Sequence, residues 1–203
     1  MKQKIFWVKE EKGKFLYTQL SNWKIFADQF YRASEFLFIE IKRDLAMWYT
    51  DYINTLKTEK EIDRGYIPQL DSVYFLQIGY CLENMLKGIM IFENPVLIQG
   101  SRIDDSITSH SLLNFAEKIQ KIVFTKEEKK LLEFLTKSIL WYSKYPIPKT
   151  VNKVIGSSGH KIDNVRLCFE GIYRKLSRYM QVNCDLPTHM SDYKFTAASV
   201  GGN

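Results

Sequence analysis

The sequence predicts an all-α protein, and three observations predict it. Residues 73–92, VYFLQIGYCLENMLKGIMIF, are hydrophobic at fourteen of twenty positions, with only Gln77, Gly79, Glu83, Asn84, Lys87 and Gly88 as exceptions. Such a stretch is a helix that other helices must cover. On either side, apolar residues recur at spacings of three and four, from Trp23, Phe26 and Phe30 onward and again from Ile162, Val165 and Phe169 onward. Thr125 and Glu128 stand in the Ser/Thr-x-x-Glu order of a capping box, where each side chain satisfies the other's free backbone donor. At 203 residues the chain is long enough to bury a core without disulfide or metal support.

Taken in order, the N-terminal stretch KIFWVKEEKGKFLYTQ holds two short apolar runs around EEKGK, the pattern of a hairpin or extended arm, so residues 1–20 are expected to stand apart. Ser21 is placed to cap a long helix whose apolar series Trp23, Phe26, Phe30, Ala33, Leu37, Ile41, Leu45, Trp48, Tyr52 and Leu56 carries it to about residue 60. The charged KTEKEIDRG with Gly65 marks its exposed end. Pro68 and Asp71 open the central helix, and Asn94 and Pro95 close it. Residues 94–109 lack periodicity and read as a loop, long enough to be functional or mobile.

A short helix follows through Leu112, Leu113, Phe115, Ala116 and Ile119, then the capped helix through Leu131, Leu135, Ile139 and Trp141, stopped by Pro146 and Pro148. After the irregular PIPKTVNKVIGSSG, the last helix carries a heptad-like seam of Ile162, Val165, Phe169, Ile172, Leu176 and Tyr179. That seam packs either on the central helix or on a second copy of the chain. The bundle is thus expected over residues 21–182, with a loosely held tail over 183–203.

Cys81 and Cys168 lie in apolar helical pattern, where a small hydrophobe is the expected role, and three cysteines without a secretory leader fit a reducing, cytoplasmic setting. Glu83 and Lys87 near the middle of the apolar stretch would each cost about 2.5–3.5 kcal/mol in a bilayer, so a buried helix of a protein with no membrane association is expected. No Cys or His pair has metal-ligand spacing. The loop GSSGHK lacks the spacing of a phosphate loop, leaving only a helix N-terminus at Ser157, Ser158 and Gly159 with His160 and Lys161 beside it. No cofactor is implied.

The apolar YCLENMLKGIM, a variable loop, a helix beginning HSLLNFAEKI and a capped helix ending WYSKYPIP together resemble the HEPN superfamily, the higher eukaryote and prokaryote nucleotide-binding domains. In that family such a helix carries a Glu and a Lys one turn apart, the next begins with His followed by Leu, and an aromatic-Pro element often follows. The resemblance covers about residues 70–180 and implies a bundle of four to five mostly antiparallel helices, commonly a homodimer. Many members are metal-independent ribonucleases, toxins or antiviral effectors whose site is an Arg, four to six residues and a His. Here the nearest pair is Arg102 with His110, separated by seven residues and lying in a loop. The resemblance therefore implies a divergent nuclease, or a relative that has kept only binding or assembly.

Within that frame His110 is the expected general acid or base and Arg102 the expected phosphate or oxyanion holder. The competing expectation for His110 is a local bond at the first turn of its helix, behind Ser109 as a cap. Glu83 and Lys87, at i and i+4, form either a structural ion pair or a ligand contact. Residues 141–180 hold Lys144, Lys149, Lys153, Lys161, Arg166, Arg174, Lys175 and Arg178 against Asp163 and Glu170, a net charge of +6 that equals that of the whole chain. Basic residues at that density suit a polyanion bound through its phosphates, with Tyr142, Tyr145 and Tyr173 available to stack on unpaired bases. The expected function is an RNA-binding protein, a divergent ribonuclease of a toxin–antitoxin or antiviral system with a cognate protein partner. The alternative is a noncatalytic dimerisation or interaction module, or a regulatory partner subunit.

Overall fold

The apolar stretch at 73–92 lies within one helix, Asp71–Glu93, which is covered on nearly every side. From Ile78 to Ile91 only Tyr80 and Asn84 escape full burial. The computed structural model describes residues 12–58, 70–99, 102–142 and 162–184. In chain order these form α1 (Lys12–Thr58), α2 (Asp71–Glu93), a two-residue ladder of β1 (Ile98–Gln99) and β2 (Arg102–Ile103), α3 (Leu112–Lys118), α4 (Lys126–Lys137) and α5 (Ile162–Cys184). The architecture is an all-α bundle. The ladder, Ile98 opposite Ile103 and Gln99 opposite Arg102, is a clasp inside the loop after α2.

Side-chain contacts fix the helix directions. Phe30 meets Tyr80 and Phe38 meets Tyr74, so α1 and α2 run antiparallel. Tyr31 stacks on Tyr173 and Lys42 pairs with Asp163, so α5 is also antiparallel to α1. The last helix's seam is spent inside the molecule: Val165, Phe169, Ile172 and Leu176 are buried, and Ile162 and Tyr179 at its two ends are partly buried against the same core. Of the two packings open to that seam, the intramolecular one is observed.

Glycines let α2 approach its neighbours. A Cβ on Gly88 would stand 2.9 Å from Trp23 Cβ, and one on Gly79 would stand 2.8 Å from Ile139 Cγ1. Ile139 belongs to a single π turn, Ser138–Tyr142, that extends α4. Trp141 thus continues a helical segment as expected, in π rather than α geometry. The capping box is formed in full, Thr125 Oγ1 accepting from Glu128 N and Glu128 Oε2 accepting from Thr125 N.

The start of the first helix differs from expectation. It already includes Lys12, so Ser21 lies inside it rather than capping it, and the second half of the expected N-terminal arm is helix. Lys12 and Lys14 are good helix formers, and the one Gly between them costs only about 1 kcal/mol against Ala. Residues 1–11 of the expected arm and residues 185–203 of the expected tail lie outside the described residues. Asn183 and Cys184 are helical.

A polar cluster of the buried Lys24 and the partly buried Asp28 and Tyr173 ties α1 to α5. Lys24 pairs with Asp28, and the Tyr173 hydroxyl donates to the same carboxylate at 2.6 Å. Burial, and then that carboxylate, push the Tyr173 phenol well above its ordinary range. Burial does the same to Tyr74, whose hydroxyl is enclosed with no hydrogen-bond partner among the described residues. Both rings hold their protons in the folded chain at pH values where the unfolded chain releases them. Below pH ~10 they therefore add no pH dependence, and above it stability falls by up to about 1.4 kcal/mol per pH unit for each ring. Tyr74→Phe removes an unsatisfied hydroxyl worth about 1 kcal/mol or more. Urea titrations at pH 7 and pH 11 are expected to show it at least as stable as the wild type at pH 7, with the smaller alkaline loss.

Candidate functional site

On the long apolar helix α2, Glu83 and Lys87 are one turn apart on one face, and both are buried, at 6% and 8% exposure. Lys87 Nζ donates to Glu83 Oε1 at 2.5 Å and stands over the Phe115 ring, 5.4 Å from its centre. A lone buried pair of this kind leaves carboxylate lone pairs unfilled. The third group is His110, whose Nδ1 lies 3.0 Å from each Glu83 oxygen.

His110 is the end of the cluster that meets solvent, its side chain 39% exposed against 7% for Glu83. The loop is anchored on both sides of it. Before it, Asp104 accepts from Ser106 N to start a 3-10 turn, Asp105–Ile107, that ends on the buried Ile107. After it, Leu112 N donates to Thr136 Oγ1 of α4 at 3.0 Å. The expected local role is therefore corrected. His110 precedes α3, the helix's N-cap is Ser111 without a side-chain bond, and the partner of His110 is 27 residues away.

The geometry has a chemical consequence. A carboxylate at Nδ1 favours the tautomer with the proton on that side, which leaves Nε2 as the acceptor nitrogen of a ring 39% exposed. A histidine oriented this way is set to move a proton at Nε2, in the manner of imidazoles held by a buried carboxylate. Arg102 contributes its backbone to β2 opposite Gln99. Its side chain lies outside the described residues.

Of the eight expected nucleic-acid contacts, Lys144, Lys149, Lys153 and Lys161 lie outside the described residues, and the other four do not form one open basic face. Arg166 is enclosed between helices, its guanidinium 2.6 Å from Glu35 and 3.1 Å from Glu170 and stacked 4.2 Å over the Phe38 ring. Lys175 reaches Glu128 at 2.7 Å and Val123 O at 3.1 Å, bracing the start of α4. Arg174 pairs with Glu170 at 2.7 Å but is 78% exposed, and Arg178 is exposed. Tyr173, expected to stack on bases, is committed to Asp28 and Tyr31. Tyr145 and the Tyr142 side chain lie outside the described residues. Counting charge along one segment overlooks Glu35 and Glu128, which arrive from α1 and α4.

Cys81 is fully buried and Cys168 partly so, and burial pushes both thiols up, consistent with small apolar roles. Among the described residues, no group of three or more His, Cys, Asp or Glu is placed to hold a metal ion. No described helix is long and apolar enough to cross a membrane.

Fold and site together define an all-α helical bundle with a buried Glu–Lys–His cluster open at its histidine. No protein-family model, curated protein or solved structure matches the chain.

Proposed function

We propose that this chain is a HEPN-like cytoplasmic protein that binds RNA and cleaves it without a metal ion, as a homodimeric effector of a toxin–antitoxin or antiviral system with a cognate protein partner. The observation that carries this reading is the hold of Glu83 on His110 Nδ1, with Lys87 fixing the carboxylate. In the step proposed, His110 Nε2 takes the proton of a ribose 2′-hydroxyl. The 2′-oxygen attacks phosphorus, the bond to the 5′-oxygen breaks, and that oxygen leaves with a proton from a general acid or water. The products are a 2′,3′-cyclic phosphate and a 5′-hydroxyl. Arg102 is assigned to the phosphate by the resemblance alone. The test is incubation of the chain with single-stranded RNA in excess chelator, with the new ends identified by mass spectrometry. Cyclic phosphate ends are expected, and intact RNA at high protein concentration contradicts the cleavage reading.

RNA affinity, in this reading, depends on the exposed Arg174 and Arg178. Reversing both to Glu is expected to weaken binding and to lower the slope of log affinity against log salt by about 2, since each phosphate contact releases about one counterion. Fluorescence anisotropy with a labelled RNA at several salt concentrations measures both.

A second reading, a noncatalytic interaction module, is favoured by the apolar side chains exposed on the C-terminal half of α1. It predicts no RNA affinity at moderate salt.

A further inference from the structure

Among the described side chains, the last buried one of α1 is Ile41, although the helix continues to Thr58. Phe38 packs on Tyr74 and Lys42 pairs with Asp163, next to the first residues of α2 and α5, Asp71 and Ile162. The sixteen residues beyond Lys42 therefore project about 24 Å past the starts of both neighbours. The core-facing stripe of α1 does not stop where its neighbours do. At helical spacing it runs from Ser34 and Ile41 into Leu45, Tyr49, Tyr52 and Leu56, with Trp48 beside it stacked on Tyr52. These five apolar residues are 43–61% exposed.

We propose that this projecting stripe binds the same stripe of a second copy, as an antiparallel α1–α1 pair. Its symmetry points to that occupant. Leu45, Tyr49, Tyr52 and Leu56 are spaced four, three and four, and read the same in both directions about a point between Thr50 and Asp51. A two-fold axis through that point sets Leu45 of one copy against Leu56 of the other, and Tyr49 against Tyr52, with Trp48 and Ile53 flanking the seam. A two-fold contact needs a self-complementary patch, and three-four spacing is what knobs-into-holes packing needs. With a fully covered aromatic burying about 150–250 Å², three half-exposed rings and two leucines supply roughly 500 Å² per copy. The total is at the low edge of specific interfaces, so a reversible dimer in the micromolar range is expected. The proposal gives an interface to the homodimer of the proposed function and rests on that part of the reading alone, so RNA binding or cleavage can fail without it.

Sedimentation velocity of the full chain from about 1 to about 200 μM tests it. The wild type is expected to pass reversibly from monomer to dimer. Tyr49→Glu alone and Tyr52→Lys alone are each expected to weaken that dimer at least about tenfold, with unchanged helical circular dichroism, since each removes a ring from both halves of the seam and leaves a charge to be desolvated there. An equimolar mixture of the two variants is expected to pair again, because the register sets the new carboxylate at position 49 of one copy against the new ammonium at position 52 of the other. Should either variant lose helicity, Leu45→Ala and Leu56→Ala serve in its place and are expected to weaken the dimer alike. A monomer across the range, a dimer indifferent to these substitutions, or a mixture that pairs no better than the single variants overturns the proposal.

Discussion

Glu83→Ala is expected to remove about 3–5 kcal/mol of folding stability, read as a lowered urea midpoint, because it leaves the Lys87 ammonium enclosed without its counter-charge. A domain of this kind holds about 5–15 kcal/mol in total, so the variant is expected to lose between about a fifth and all of its stability. The same residues on an exposed helix face would be worth only about 0.2–0.5 kcal/mol, and burial makes the difference. Replacing both partners at once, as Glu83→Leu with Lys87→Met, removes the buried charges together and is expected to restore stability close to that of the wild type. It also removes the anchor of His110. A double variant that folds but has lost cleavage would show that the pair is kept for the histidine rather than for the fold. A Glu83→Ala protein as stable as the wild type would place the ion pair in water, against the observed burial.

His110→Ala is expected to lower RNA cleavage by about 10²–10⁴-fold, the usual contribution of a positioned acid or base. The change in stability is expected to stay within about 1 kcal/mol, because Glu83 keeps Lys87 and the lost ring is partly exposed. His110→Gln keeps a side chain of similar reach but has no nitrogen able to take a proton, so activity stays low in that variant as well. Cleavage rates under single-turnover conditions, set beside thermal melts of the same samples, separate this from a structural role. In a structural role the two readouts fall together.

Much of the fold can be read along the chain because the signals involved are local. The all-round apolarity of α2 and the Thr125–Glu128 cap need only neighbours within a few residues, and both are as expected. The seam of α5 is visible as a seam, but its partner is not, because three-four spacing is the same for a neighbouring helix and for a second copy. The site is half visible. Glu83 and Lys87 stand out as charges in an apolar helix, whereas the contact of His110 with Glu83 spans 27 residues and depends on the path of the intervening loop. One signal does point there: a buried carboxylate with a single lysine partner needs another donor, and His110 opens the next helix pattern. The basic region misleads for the opposite reason. Its excess charge is real in sequence, yet Arg166 and Lys175 are answered by Glu35 and Glu128, 131 and 47 residues away.

The carboxylate of Glu83 stands 3.0 Å from His110 Nδ1, and the proposed chemistry depends on that contact keeping Nε2 free to take a proton. Long-range ¹H–¹⁵N correlation spectra of the three histidines, with the His110 signals assigned from His110→Ala, read the position of the ring proton directly. In the neutral ring the proton is expected on Nδ1, with the preference lost in the folded Glu83→Leu, Lys87→Met double variant. A His110 protonated at Nε2, or indifferent to that double replacement, would contradict it.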